Sequence, residues 1–135
     1  MVSALVLMAA VTASGPEMVS GEVEQRLDLS GVWEGSWQEY GRSPLVRVQR
    51  MEVKNGSVRL ITTAFRGLSR VEVINEGDCR VRLTWFATEY LGIYQQKGDR
   101  VVLCLRRVRR GGFPTSFVAG DDQELYTLHR VKPRK

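Results

Sequence analysis

The stretch that decides the fold is residues 79–85, which read Cys-Arg-Val-Arg-Leu-Thr-Trp. The cysteine, the valine, the leucine and the tryptophan fall on one side of an extended chain. The two arginines and the threonine fall on the other side. Successive side chains of a β-strand point to opposite faces, so this period of two predicts a half-buried strand. The same period recurs on both sides of this stretch.

Seven further segments with this period are separated by turn signals. Asn55-Gly56 is the strongest signal, because both residues tolerate the positive φ angles of a type I′ hairpin turn. Gly98-Asp99 marks another turn, and no stretch of ten residues carries a helical stripe. The predicted strands cover about 31–40, 45–53, 57–63, 68–74, 79–85, 90–96, 100–107 and 124–131.

The first and last predicted strands carry signals that bracket the domain. Gly-Val-Trp at residues 31–33 opens the first strand, and Leu-His-Arg at residues 128–130 closes the last. Eight short strands joined in order predict an all-β, antiparallel, up-and-down eight-stranded β-barrel, because full closure leaves no free edge. Such a barrel is filled by side chains or holds one small ligand. Bulky candidates for lining the interior are Phe65, Trp85 and Tyr94.

Length and composition bound the class of protein. The chain has 135 residues, of which 43% are hydrophobic and 26% charged. It is therefore long enough for one globular domain with a core. The formal net charge is +5, and all but four of the 20 basic residues are arginine. An arginine bias is common in GC-rich genomes, so it does not by itself indicate a nucleic-acid partner.

The N-terminal residues have features of an export signal. Residues 1–13 are uncharged and mostly apolar, and Val11-Thr12-Ala13 resembles a small-residue cleavage site. A basic segment normally precedes the apolar run, but the first basic residue is Arg26. Either the coding start lies upstream, or the segment is only apolar. We expect export to the periplasm or the medium. We expect no membrane span, because the run is shorter than about 20 residues.

The rest of the chain divides into three parts. Residues 14–28 carry a Gly-Pro pair and several acids without periodicity, and are predicted to be a flexible lead-in. Residues 29–131 form the predicted barrel, and residues 132–135 are a basic tail. We expect the protein to be a monomer.

The cysteines, Cys79 and Cys104, fall on the fifth and seventh predicted strands. Neighbouring strands lie about 4.8 Å apart, so strands separated by a third strand are too distant for a disulfide. We expect two free thiols that behave as small buried hydrophobes. Two cysteines and one distant histidine match no zinc-ligand spacing. No metal or other cofactor is predicted.

Several motifs resemble a known family. Leu-Ser-Gly-Val-Trp at 29–33 resembles the Gly-x-Trp opening of lipocalin-like domains. The later motifs resemble a family of uncharacterised lipocalin-like proteins from bacteria, mainly planctomycetes. They are Gly-Ile-Tyr at 92–94, Gly-Asp at 98–99, Leu-Cys-Leu at 103–105, Pro-Thr-Ser-Phe at 114–117 and Leu-His-Arg at 128–130. Phe113 departs from the pattern, since the family usually has arginine before Pro-Thr.

The resemblance implies an exported lipocalin-like barrel and no particular activity. It also implies that Gly31, Trp33 and Arg130 close one end of the barrel. The indole would plug that end, and the guanidinium would stack across it, a contact worth about 0.5–2 kcal/mol. This implied role is structural.

Two polar features of the sequence are candidates for ligand sites. His129 is the only histidine, and the Gly-x-Trp-x-Gly at 31–35 resembles the opening of small haem-binding barrels. Alternation instead predicts that His129 points outward. Arg106–Arg110 is the densest run of charge, but it lacks the interleaved aromatic residues of a nucleic-acid patch. We therefore expect a solvated hairpin end and no nucleic-acid partner.

No residues combine into a predicted catalytic site. Asp121, Asp122 and Glu124 lack the spacing of a calcium loop and are predicted to be solvated turn residues. Ser116 has no Gly-x-Ser-x-Gly setting and no histidine base near it in the sequence. The sequence therefore does not predict an enzyme.

Two functions from different classes remain. The first is a small hydrophobic-ligand carrier that binds an apolar molecule inside the barrel. The alternative is a packed barrel that acts as an envelope or protein-interaction module without a ligand. A void lined by Trp85 and Tyr94 would favour the carrier, and a filled core would favour the module.

Overall fold

The eight predicted strands close into a barrel. The computed structural model describes residues 26–39, 45–120 and 122–132, and the predicted export signal and the last residues of the tail lie outside them. Each strand pairs antiparallel with the next, and the last pairs with the first. The predicted all-β, up-and-down eight-stranded fold is confirmed. The strands are β1 (Gly31–Glu39), β2 (Val46–Lys54), β3 (Ser57–Thr62), β4 (Arg66–Gly77), β5 (Arg80–Trp85), β6 (Thr88–Lys97), β7 (Arg100–Arg107) and β8 (Gln123–Arg130).

Two-residue turns with left-handed backbone join β2 to β3, β4 to β5 and β5 to β6. Asn55 and Gly56 have φ angles of 53° and 76°, as the predicted type I′ turn requires. Asp78 and Cys79 have φ angles of 54° and 58° and join β4 to β5. The predicted placement of Cys79 on a strand as a buried residue is therefore wrong, and its side chain is exposed. The apolar alternation in the sequence includes Cys79, but the hydrogen-bonded strand β5 begins only at Arg80. The reason is that the hairpin turn takes up both Asp78 and Cys79.

One apolar cluster lies in the interior. Val81 and Leu83 of β5, and Leu103 and Leu105 of β7, have an exposed fraction of 0%. A side chain on the wall of an internal cavity keeps surface that an enclosed water would touch, and these side chains keep none. Each such burial contributes about 1.5–3 kcal/mol to stability. The other apolar side chains buried in this cluster are Leu27, Leu29, Trp33, Val48, Met51, Val58, Leu60, Trp85, Tyr90, Tyr94, Val101, Tyr126 and Leu128.

The segment before β1 lies across one end of the barrel, here called the closed end. Leu27 is buried there, and its N–H donates a 2.9 Å hydrogen bond to Oδ1 of Asn75. Asp28 and Gln96 exchange two hydrogen bonds of 3.0 Å between backbone and amide. These contacts hold residues 27 and 28 of the predicted lead-in against the barrel. An apolar side chain gains burial there, and the backbone groups find amide partners.

The long loop after β7 lies against the outer face of β7 and β8. Gln123 is buried between them; its Nε2 donates to the carbonyl oxygen of Val118 at 3.0 Å, and its Oε1 accepts from Arg106 at 2.6 Å. Cys104 is buried under this loop, with Sγ 3.5 Å from the same Val118 oxygen. Burial raises the pKa of the Cys104 thiol. Both Cys104 and Cys79 are free thiols.

Candidate functional site

The three side chains predicted to line a ligand cavity do not share one wall. Trp85 and Tyr94 are buried in the apolar cluster. The ring of Trp85 packs edge-on against Tyr126, with centroids 5.6 Å apart. Phe65 lies instead at the rim and is 41% exposed. Its ring packs edge-on against that of Phe86, with centroids 5.4 Å apart. Phe65 precedes β4 in the chain, outside the part of the ladder that faces the interior.

The three predicted closure residues meet at the closed end. The guanidinium carbon of Arg130 lies 4.6 Å from the centroid of the Trp33 ring. Trp33 is fully buried, and its Nε1 donates a 2.8 Å hydrogen bond to the carbonyl oxygen of Leu29. Gly31 has a φ angle of 114°, and the Arg130 side chain passes 3.5 Å from where a Cβ would lie. The positive φ angle favours a glycine at this position, whereas the Arg130 contact would leave room for a Cβ.

The opposite end, here called the mouth, brings together side chains that the sequence analysis did not connect with one another. Trp37 and Tyr126 stack with centroids 5.8 Å apart. Trp85 lies against Tyr126, and its centroid is 6.0 Å from that of Phe86. The indole of Trp37 also contacts Glu124. These five residues are called the mouth cluster below; they form a chain of aromatic rings that ends at a carboxyl group.

Glu124 is the buried ionisable group of the mouth cluster, with an exposed fraction of 2%. The Nε1 of Trp37 donates a hydrogen bond of 3.2 Å to its Oε1. Burial first, and then the nearby carboxylate of Glu39, raises the pKa of Glu124 to about 7. Hydrogen bonds from Trp37 and Tyr90 and the charge of Arg107 act in the opposite direction. The mouth therefore exchanges a proton near neutral pH.

The predicted role of Glu124 as a solvated turn residue is wrong. The predicted strand 124–131 already included Glu124, but its acidic neighbours suggested a solvated strand end; β8 begins at Gln123. Tyr126 and Leu128 are buried and share the parity of Glu124. The alternation of β8 was therefore a signal that this carboxyl group points inward.

A groove of about 340 Å³ opens beside the mouth. Arg107 lines this groove, and its positive charge also acts to lower the pKa of Glu124. The residues that line it are Ala87, Thr88, Glu89, Arg107, Val108 and Arg109. Its polar lining suits water or a polar group of a ligand more than a hydrocarbon.

The other candidate residues lie on the surface or bind the long loop after β7. His129 is exposed and lies 3.7 Å from Glu34, so it points outward as predicted. Arg106, within the basic run, holds the long loop through Gly112 and Asp122. Among residues 26–39, 45–120 and 122–132, no three His, Cys, Asp or Glu side chains come together as metal ligands. The same part of the chain has no helix long and apolar enough to cross a membrane.

No family model, curated protein or solved structure matches this chain.

Proposed function

We propose that the protein is a packed barrel that works through its surface, as an envelope or protein-interaction module. The observation that carries this proposal is the packing around Trp85 and Tyr94. A carrier would need these side chains to border an open space, and both are buried. Their apolar neighbours Val81 and Leu83 keep no surface that water can reach. A filled core leaves the outer surface as the working part of the molecule.

Native mass spectrometry of protein purified from its own host tests this proposal. We expect the mass of the bare chain. A co-purified small molecule would contradict the packed-module proposal. The positive control is Leu83→Ala, which should open a dry apolar cavity able to take up benzene. Stabilisation of that variant by benzene, with no effect on the unaltered protein, would show that the assay detects an interior site when one exists.

The mouth cluster favours a second candidate function, the binding of a small, mainly apolar ligand at the mouth. A buried carboxyl group is costly to keep, and functional sites are where such groups concentrate. The rings of Trp37 and Phe86 are only partly buried and would contact the apolar part of a ligand. Glu124 would meet its polar group. This candidate predicts a co-purified molecule that the unaltered protein retains and Glu124→Gln loses.

A further inference from the structure

The outer face of β2, β3 and the first half of β4 is strongly basic. Cross-strand pairing brings its side chains into rows. Arg50 and Arg66 both lie opposite Ile61, and Arg59 lies opposite Leu68. All the cationic side chains of this surface are exposed. The surface is called the basic face, and its charged residues are Arg47, Arg50, Lys54, Arg59, Arg66 and Arg70, with Glu52 as the one carboxylate.

The charge of the basic face accounts for the net charge of the whole protein. Six cations and one carboxylate give it +5, which equals the formal net charge of the chain. The carboxylate, Glu52, is already paired with Arg50 at 2.6 Å. Neighbouring strands are about 4.8 Å apart, so the cations on three adjacent strands reinforce one another within about one Debye length.

Exposed apolar side chains lie on the same side of the barrel. Leu68, between Arg66 and Arg70 on β4 and opposite Arg59, is 67% exposed. Leu45, just before β2, is 65% exposed, and Phe65 lies just before β4. The starts of β2 and β4 both meet the end of β3, and the N–H of Thr63 donates to the carbonyl oxygen of Arg47 at 3.1 Å. This side of the barrel therefore exposes cations and apolar side chains next to one another.

We propose that the basic face docks on the anionic surface of a phospholipid bilayer. This inference deepens the proposed surface function, on which it rests, by naming the partner. Lys and Arg near such a surface are attracted to its phosphates, and exposed aliphatic groups enter the boundary between headgroups and acyl chains. A single-stranded nucleic acid would need exposed rings for stacking. The apolar groups of this face are mainly leucines, and Phe65 already packs against Phe86.

Co-sedimentation with phospholipid vesicles tests this inference. The protein should bind vesicles that contain phosphatidylglycerol and should not bind vesicles of pure phosphatidylcholine. Raising the salt to about 1 M shortens the Debye length from about 10 Å to about 3 Å and should release most of the protein. The triple variant Arg59→Gln, Arg66→Gln, Arg70→Gln should bind on the order of a hundredfold more weakly, since each cation contributes separately.

A matched control separates the face from the net charge. Arg100→Gln, Arg109→Gln, Arg110→Gln removes the same charge from exposed positions on and after β7, on the opposite side of the barrel, and should keep vesicle binding. Circular dichroism and urea midpoints should be unchanged for both variants, because all six side chains are exposed. Leu68→Asn should reduce the binding that survives high salt.

Several outcomes would overturn the inference. Binding to neutral vesicles as strong as the binding to anionic vesicles would overturn it. An equal loss of vesicle binding in the two triple variants would do so as well. Displacement from vesicles by a small amount of single-stranded RNA would identify a nucleic-acid face instead. Each of these results leaves the packed-module proposal standing, because that proposal fails only if a molecule is found within the barrel or its mouth. A co-purified ligand would leave the vesicle result unaffected.

Discussion

Trp37 on β1 donates a hydrogen bond of 3.2 Å to Glu124 on β8, across the seam where the first and last strands meet. The two residues are 87 positions apart in the chain. This contact therefore forms only when the barrel closes. Because the pKa of Glu124 is raised to about 7, closure of the seam and uptake of a proton are thermodynamically linked.

The stability of the protein should fall as the pH rises through neutrality. The pKa of Glu124 is about 7 in the folded protein, against an ordinary value of 4.5. Its contribution is therefore fully present below about pH 4.5 and lost as the pH rises through about 7. The total loss is about 3 kcal/mol. Glu124→Gln should remove this dependence and should be the more stable protein at pH 8.

Urea titrations at pH 5 and pH 8 measure this effect. The matched control is Glu72→Gln, an exposed carboxylate on β4, which should keep the pH dependence of the unaltered protein. If Glu124→Gln and the unaltered protein lose the same free energy of unfolding between these two pH values, Glu124 is not the group responsible.

The closed end should behave as one coupled unit. Trp33→Ala removes a fully buried indole and should cost about 3–5 kcal/mol. Arg130→Ala should cost less, because much of the arginine can remain in contact with water. The double variant should cost less than the sum, since both changes remove the 4.6 Å contact. Strictly additive losses in urea titrations would mean that this contact does not stabilise the barrel.

Gly35→Ala should be among the most damaging substitutions in the barrel. Gly35 has a φ angle of 156°, and a Cβ there would overlap the carbonyl oxygen of Thr127 on β8. The seam would have to move, at a cost of about 3 kcal/mol or more. Gly112→Ala is the control, because nothing lies within 4 Å of its Cβ position. Thermal melts should separate the two variants clearly; equal melting temperatures would contradict the clash.

The two thiols should differ sharply in reactivity. Cys79 is exposed in a turn, whereas Cys104 is buried and burial raises its pKa. A disulfide-exchange reagent should label one thiol rapidly in the native protein and both after unfolding without reductant. Cys79→Ser should abolish the rapid phase. Two rapid thiols would mean that the long loop does not cover Cys104, and no free thiol in the denatured monomer would indicate a disulfide.

The candidate site was only partly predictable from the sequence. Trp37 shares the parity of Trp33, so its inward position followed from alternation. Glu124 had the same kind of signal, because the predicted strand 124–131 includes it, but its acidic neighbours led to its interpretation as a solvated residue. Phe65 is bulky and apolar, and only the turn before β4 puts it at the rim. The contacts of a residue at the rim depend on how turns from different parts of the chain meet. A local sequence pattern does not predict that arrangement.

The sequence by itself determined the eight strands, their order and the closure of the barrel. A period of two and two-residue turn signals are local, and antiparallel neighbours joined by short turns leave few other topologies. Only the tertiary structure decided that Trp85 and Tyr94 are buried, that Glu124 is buried and hydrogen-bonded to Trp37 and Tyr90, and that six cations gather on the basic face. These properties depend on strand register and on side chains distant in the chain, because contacts across a barrel are set by its closure.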